Sequence, residues 1–131
     1  MIIDGKDAVL GRLASTTAKK LLSGEEVTII NAEKIILTGR PIEIKKQYLQ
    51  RRQIGSPQHG PFFPREPQKI VRRTIRGMLP YKTPRGRTAF KKLRVYTGTN
   101  GMEGEKVGVK TIKSNFMTVG DVAKIIGWRE K

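Results

Sequence analysis

From Val9 to Leu22 the apolar positions fall at helical spacing: Val9, Leu10, Leu13, Ala14, Thr17, Ala18, Leu21 and Leu22 share one side of a 3.6-residue turn. The pattern predicts a helix opened by Asp7 as N-cap and stopped by Gly24. Gly11 inside it costs about 1 kcal/mol relative to Ala, so close backbone packing is expected there. Residues 1–4 form a short apolar start, and residues 27–31 and 34–37 are β-branched runs that read as buried strands. A strand, helix, strand order implies a parallel pair with a right-handed crossover and the helix on one face. The N-terminal third is therefore expected to be an α/β unit.

A second amphipathic stretch, residues 67–79, carries two stripes. Ile70, Val71, Thr74, Ile75, Met78 and Leu79 make an apolar one, while Lys69, Arg72, Arg73 and Arg76 make a cationic one. Pro67 suits the first helical position, which needs no N–H, and Pro80 blocks continuation. Exposed helix faces ordinarily mix acids with bases, because like charges four residues apart oppose the helix. An all-cationic stripe is better explained as an anion-binding face. Before it, residues 41–54 read as a second basic helix, with Lys45, Lys46, Arg51 and Arg52 set against an uneven apolar side of Ile42, Ile44, Tyr48 and Leu49.

The connecting segments follow from their glycines and prolines. Residues 55–65 are a loop, in which Phe62 and Phe63 are expected to be buried anchors rather than base-stacking platforms. His59 within it suits either a phosphate or ribose contact or a plain surface position, and Arg65 closes it. Residues 80–87 read as a cationic loop bearing Lys82, Arg85 and Arg87, with Gly86 letting the backbone approach a partner. A short helix over 88–92 with Lys91 and Lys92, a strand over 93–97 and a turn-rich loop over 98–104 come next. Thr118 with Asp121 resembles a capping box opening a helix over 119–126, and Trp128 is a packing or interface residue.

Charge sharpens this picture. Of the net +16 on 131 residues, residues 40–94 contribute +14, from sixteen Lys/Arg against two Asp/Glu, while residues 1–39 are neutral. A concentrated cationic region on one domain calls for a polyanion, nucleic acid or anionic lipid. The lipid alternative lacks a Leu-rich and aromatic face to insert, and the apolar stripe of 67–79 is better used in a core. No apolar run approaches the roughly 20 residues of a membrane span, and the first residues lack a basic then apolar leader, so a cytoplasmic protein is expected.

Catalysis finds few candidates. The absence of cysteine removes disulfides, thiolate zinc sites and thiol nucleophiles. His59 with Ser56 assembles no triad, and Glu43 and Glu66 are the only acids of residues 40–94, too few for metal-assisted hydrolysis of a nucleic acid. Gly5-Lys6-Asp7 is no phosphate loop, the glycines of 98–104 do not match the dinucleotide pattern, and Lys106 does not stand in Walker spacing.

Several segments, in order, resemble one family: Gly11-Arg12-Leu13-Ala14-Ser15, then Asn31-Ala32-Glu33-Lys34 leading to Thr38-Gly39, and above all Arg76-Gly77-Met78-Leu79-Pro80. They resemble the L-thirteen family of large-subunit ribosomal proteins, and Tyr81-Lys82-Thr83-Pro84-Arg85-Gly86 resembles its archaeal and eukaryotic branch. The resemblance implies a single α/β domain over residues 1–131, with a small, mainly parallel sheet flanked by helices and with basic helical and loop extensions. It implies a structural constituent of the large subunit that binds large-subunit ribosomal RNA and joins assembly early, beside neighbouring ribosomal proteins. No catalytic residue, metal, cofactor, small-molecule substrate, membrane contact or homo-oligomer is expected. The family's RNA contacts fall about Arg76-Gly77-Met78-Leu79-Pro80 and the cationic segment after it. Combined with the charge pattern, the expected RNA-binding set is Lys45, Lys46, Arg51, Arg52, His59, Arg65, Lys69, Arg72, Arg73, Arg76, Lys82, Arg85, Arg87, Lys91 and Lys92.

Overall fold

In chain order the elements are β1 (Ile2–Asp4), α1 (Leu10–Leu22), β2 (Val27–Ile30), β3 (Ile36–Thr38), α2 (Pro41–Gln53), α3 (Pro67–Gly77), α4 (Pro84–Lys91), β4 (Leu93–Val95), β5 (Glu105–Lys106), β6 (Phe116–Thr118) and α5 (Val119–Ile125). The computed structural model describes residues 1–53, 64–99, 101–109 and 116–129. The four strands β4-β2-β1-β5 form one parallel sheet, and β3 with β6 forms a separate antiparallel pair. The expected α/β domain with a small, mainly parallel sheet is thus observed.

The β1-α1-β2 unit follows the sequence pattern. Ile3 stands opposite Ile29 in the register, and Leu10, Leu13, Ala14, Thr17, Ala18 and Leu21 turn the buried side of α1 inward. Gly24, at φ +96, follows the last turn as expected of a left-handed C-terminal residue. The start of α1 differs. Asp7 is exposed at φ +64, and Val9 occupies the N-cap position without a side-chain cap. Long-range backbone bonds fix this entry instead: Val9 N–H donates to the Gly108 carbonyl, and the Ala8 carbonyl accepts from Ile36 N–H. Gly11 is exposed, and a Cβ built on it meets nothing within 4 Å, so the expected close packing is absent.

Residues 34–37 were expected to be a buried strand; the strand is β3, which begins at Ile36, lies outside the parallel sheet and pairs antiparallel with β6. The cause lies at Asn31, whose φ of +56 turns the chain into a 3₁₀ turn over Ala32–Lys34 directly after β2. Asn31 is well suited to a left-handed conformation, and it is pinned by its N–H to the Gly98 carbonyl and by Nδ2 to Asp4 Oδ1 at 2.9 Å. The sheet therefore ends there, and β4 takes the next place beside β2.

Residues 80–87 are not all loop either. Pro84 is at the first position of α4, and Thr83 Oγ1 caps it by accepting from Gly86 N–H at 3.2 Å. Gly86 is buried, and a Cβ there would collide with the Pro80 carbonyl, so this glycine serves internal packing rather than approach to a partner. Strands β5 and β6 were missed. Glu105 and Lys106 are both exposed and carry no strand pattern; pairing with β1 defines them. Thr118 Oγ1 accepts from Asp121 N–H, as the capping motif suggested.

The core lies between the parallel sheet and the helices α1, α3 and α5. Ile3, Leu13, Leu21, Ile29, Ile70, Ile75, Leu93 and Val119 are fully buried within it. Of the α3 stripe, Ile70, Val71, Ile75 and the following Leu79 are buried, whereas Met78, at the C-cap, is exposed. On α2, Ile44 and Tyr48 are buried while Ile42 and Leu49 face outward. Among the described residues no helix is long and apolar enough to cross a membrane. The positions Phe62, Phe63 and His59 lie outside the described residues, as do the side chains of Arg51 and Arg52.

Candidate nucleic-acid interface

Helix α3 is held rigidly from below, with Ile70, Val71 and Ile75 in the core against α1 and β4. The face turned away from the core is therefore a fixed platform. Lys69, Arg72, Arg73 and Arg76 line a shallow groove of about 220 Å³ on it, closed by Pro64 and Phe90. Helical spacing alone brings these four cations to one side.

Two of the cations are positioned by aromatic rings that the sequence reading did not assign. Arg72 donates through Nη1 to the Leu93 carbonyl at 2.9 Å, and its guanidinium lies over Phe90, 4.7 Å from the ring centre. The Arg76 guanidinium lies 5.1 Å from the ring centre of Tyr81. Tyr81 and Phe90 meet edge to face at 5.7 Å. The paired rings of Phe90 and Tyr81 thus carry a cation at each end, Arg72 on one and Arg76 on the other, an arrangement that orders two otherwise flexible side chains. No spacing rule connects Phe90 to a helix eighteen residues earlier. The Thr83-Pro84 pair was the available signal, because an N-cap followed by proline starts the helix that carries Phe90.

Beside the groove, the first turn of α4 presents Arg85 and Arg87, both exposed, with Arg87 Nη2 donating to the Lys82 carbonyl at 3.0 Å. The exposed Lys82 precedes this turn. Lys91 is exposed at the far end of α4, and Lys92 is partly engaged internally, with Nζ 3.3 Å from the Gly24 carbonyl. Lys69 makes a loose ion pair with Glu66 at 3.7 Å. The exposed Arg65 passes close to Gly127, where φ is +115. Lys45 and Lys46 are exposed on α2, which packs on α5 and β6 rather than beside α4. The structure thus gathers Lys69, Arg72, Arg73 and Arg76 at one groove, sets Lys82, Arg85 and Arg87 next in the chain, and carries the lysines of α2 on another element. Exposed Arg94 on β4 and Arg40 before α2 belong to the same cationic region, although the site reading omitted them.

This arrangement can bind anions. Among the described residues, the groove offers several guanidinium and ammonium donors and no partnered acid–base or nucleophile–base constellation. Residues 1–101 match the model of a protein family described as Ribosomal protein L13. The chain belongs to that family. Similar curated proteins named large ribosomal subunit protein uL13 occur in archaea: that of Methanopyrus kandleri is 45% identical over 98% of this chain and 87% of its own length. Those of Methanocaldococcus jannaschii and Methanosphaera stadtmanae are 45% and 47% identical, each over 96% of both chains. As a member of the L13 family the chain is a structural constituent of the large ribosomal subunit, in the cytoplasm, and not an enzyme.

Proposed function

We propose that the chain binds large-subunit ribosomal RNA through the surface of α3 and α4, and that it does so early in subunit assembly. The observation carrying this reading is the convergence of Lys69, Arg72, Arg73 and Arg76 on one groove of a helix whose other side is locked in the core. A-form RNA keeps its base edges out of reach in a deep major groove and offers phosphates and 2′-hydroxyls, which suit Arg forks and flexible Lys. Selection then rests on RNA shape more than on base identity. Rings beneath Arg72 and Arg76 reduce the side-chain freedom lost on binding.

Lys82, Arg85 and Arg87 extend the phosphate-facing surface. Lys45, Lys46, Arg51 and Arg52 supply a second contact region on α2, and Arg65, His59, Lys91 and Lys92 supply peripheral ones, so that residues 40–94 form the RNA-facing part of one domain. Early joining fits a rigid and strongly cationic protein that screens phosphate repulsion while RNA is still folding. Neighbouring ribosomal proteins would complete its surroundings, and self-association is not part of this reading.

The test is titration of large-subunit ribosomal RNA with the parent protein and with the Arg72→Glu, Arg76→Glu double variant. Charge-assisted contacts of this kind contribute enough that at least roughly tenfold weaker binding is expected. Losing the Arg72 bond to Leu93 costs on the order of 1 kcal/mol, too little to unfold the domain, and a thermal melt of the variant checks this. Undiminished binding by a folded double variant would remove α3 from the interface.

A further inference from the structure

A second cleft, of about 480 Å³, lies where the carboxyl ends of β2 and β4 meet the start of α3 and the segment after α5. Glu33, Glu66, Gln68, Gly98, Trp128 and Arg129 line it. Its size falls within the roughly 300–1,000 Å³ of small-molecule sites. Crevices outside the carboxyl ends of parallel strands are also where open α/β sheets bind ligands. The phosphate groove on α3 makes no use of it.

The walls are rich in acceptors. Both oxygens of Glu33 face the Gly98 N–H, at 3.2 and 2.9 Å, and one N–H leaves much of a carboxylate's acceptor capacity over. Glu66 Oε2 accepts from Gln68 Nε2 at 2.6 Å. A carboxylate only accepts, so this bond fixes the amide orientation and makes the other terminal atom the oxygen. That Oε1 is shielded from solvent and has no hydrogen-bond partner among the described residues. Half-buried Trp128 adds an aromatic wall. Acceptors beside an indole suit a flat ligand carrying paired donors, and the carboxylates disfavour a phosphate in the same place.

Two kinds of ligand present such donors: a guanidinium on a basic peptide, and guanine. The net charge of +16 repels the first and draws in a polyanion carrying the second. The cleft is also adjacent to the groove, since Gln68 lines one and Lys69 the other, with the Glu66–Lys69 ion pair between them. A strand with its phosphates in the groove would run past the start of α3, where the cleft opens. Guanine is the base whose pairing edge sets N1–H and an amino group side by side. Uracil flanks its single N–H with carbonyls, and adenine and cytosine set one amino group beside a ring acceptor.

We propose that the cleft captures an unpaired guanine of the bound RNA, stacked on Trp128 with its N1–H and N2 donors on the carboxylates of Glu33 and Glu66. This assignment rests on the RNA-binding reading above and adds base selection to it at one point. Arg129, at the cleft wall, would then meet the phosphate or ribose of the same nucleotide.

Trp128 is the only tryptophan of the chain, so its emission reports occupancy of the cleft directly. The full-length protein is titrated with single-stranded hexamers of uridine in which one central position is guanosine, adenosine, cytidine or uridine. The guanosine hexamer is expected to bind roughly tenfold more tightly than hexauridine and to quench the emission. Glu33→Gln and, separately, Glu66→Gln should each reduce that preference several-fold, with melting curves confirming the fold of each. Equal affinity for the four hexamers, or binding without a change in emission, overturns the guanine cleft while leaving the phosphate groove in place. A guanine preference that survives both substitutions overturns the role given to the carboxylates. Stronger quenching by an arginine-rich peptide than by the guanosine hexamer reassigns the cleft to a protein partner. Failure to bind either the hexamers or ribosomal RNA overturns the RNA-binding reading, and the cleft assignment falls with it.

Discussion

Asp4 ends β1 beside three donors. Burial pushes its carboxyl pKa up, but the bonds from Asn31 Nδ2 and Lys6 N–H, with the Lys106 ammonium at 2.9 Å, outweigh burial and hold it at about 2. A carboxylate depressed below its usual value of 3.8 stabilises the fold at pH values above that value, and the contribution disappears as pH falls from about 4 to about 2. Because Lys106 is half exposed, its size is on the order of 1–2 kcal/mol. Denaturant midpoints measured across that window should fall in the parent, and Asp4→Asn should flatten this part of the profile. Two glycines make a complementary pair. Gly11→Ala, exposed within α1 and free of neighbours, is expected to stabilise by about 0.5–1 kcal/mol through helix propensity. Gly86→Ala has the same propensity gain, but its Cβ strikes the Pro80 backbone, and a net loss of about 1–2 kcal/mol is expected in the same melts. A stabilised Gly86→Ala would show that the turn at Pro80 yields readily.

Among the elements, α3 is the one whose two faces answer to different forces. Ile75 is fully buried, and Ile75→Asp places a charge among apolar core neighbours, with no buried cation among the described residues to pair with it, a loss of more than about 4 kcal/mol and enough to unfold a domain of ordinary stability. Circular dichroism of that variant should show lost structure, whereas the charge reversal at Arg72 and Arg76 should not. Helices α1 and α3 were legible because each announces itself locally, by periodicity and by Gly24 or Pro67 at its limits, whereas α2, with an uneven apolar side, was marked chiefly by Pro41 at its start. The start of α4 was available in Thr83-Pro84 but hidden by the cationic, glycine-containing run that follows. Strands β5 and β6 had no such signal: Glu105 and Lys106 form a strand only because β1 stands beside them.

Across the whole molecule, the cationic groups divide between the α3 groove with its α4 extension and the separately docked α2. If about six of them neutralise phosphates, the log–log slope of RNA affinity against salt should be roughly −4 to −5. Titrations at several salt concentrations measure it, and a slope near zero would contradict a phosphate-led interface. The same charge distribution sets a neutral N-terminal α/β unit beside a strongly basic middle in this L13-family chain, and in the proposed role the first would supply rigidity and the second contact. The core fixes the spacing of the α3 cations in advance, so under the proposed RNA-binding role the ordering cost of binding would be small.

The sequence by itself determined the α/β class, the β1-α1-β2 unit, the two-faced helix α3 and the concentration of charge in residues 40–94. These follow from periodicity, end residues and composition, all properties of neighbours along the chain. Tertiary structure alone decided that β3 leaves the sheet at Asn31, that Arg72 and Arg76 stand on Phe90 and Tyr81, and that Glu33, Gln68 and Trp128 share a cleft. Each of these joins residues far apart in sequence, and such meetings are set by how the elements pack rather than by any local preference.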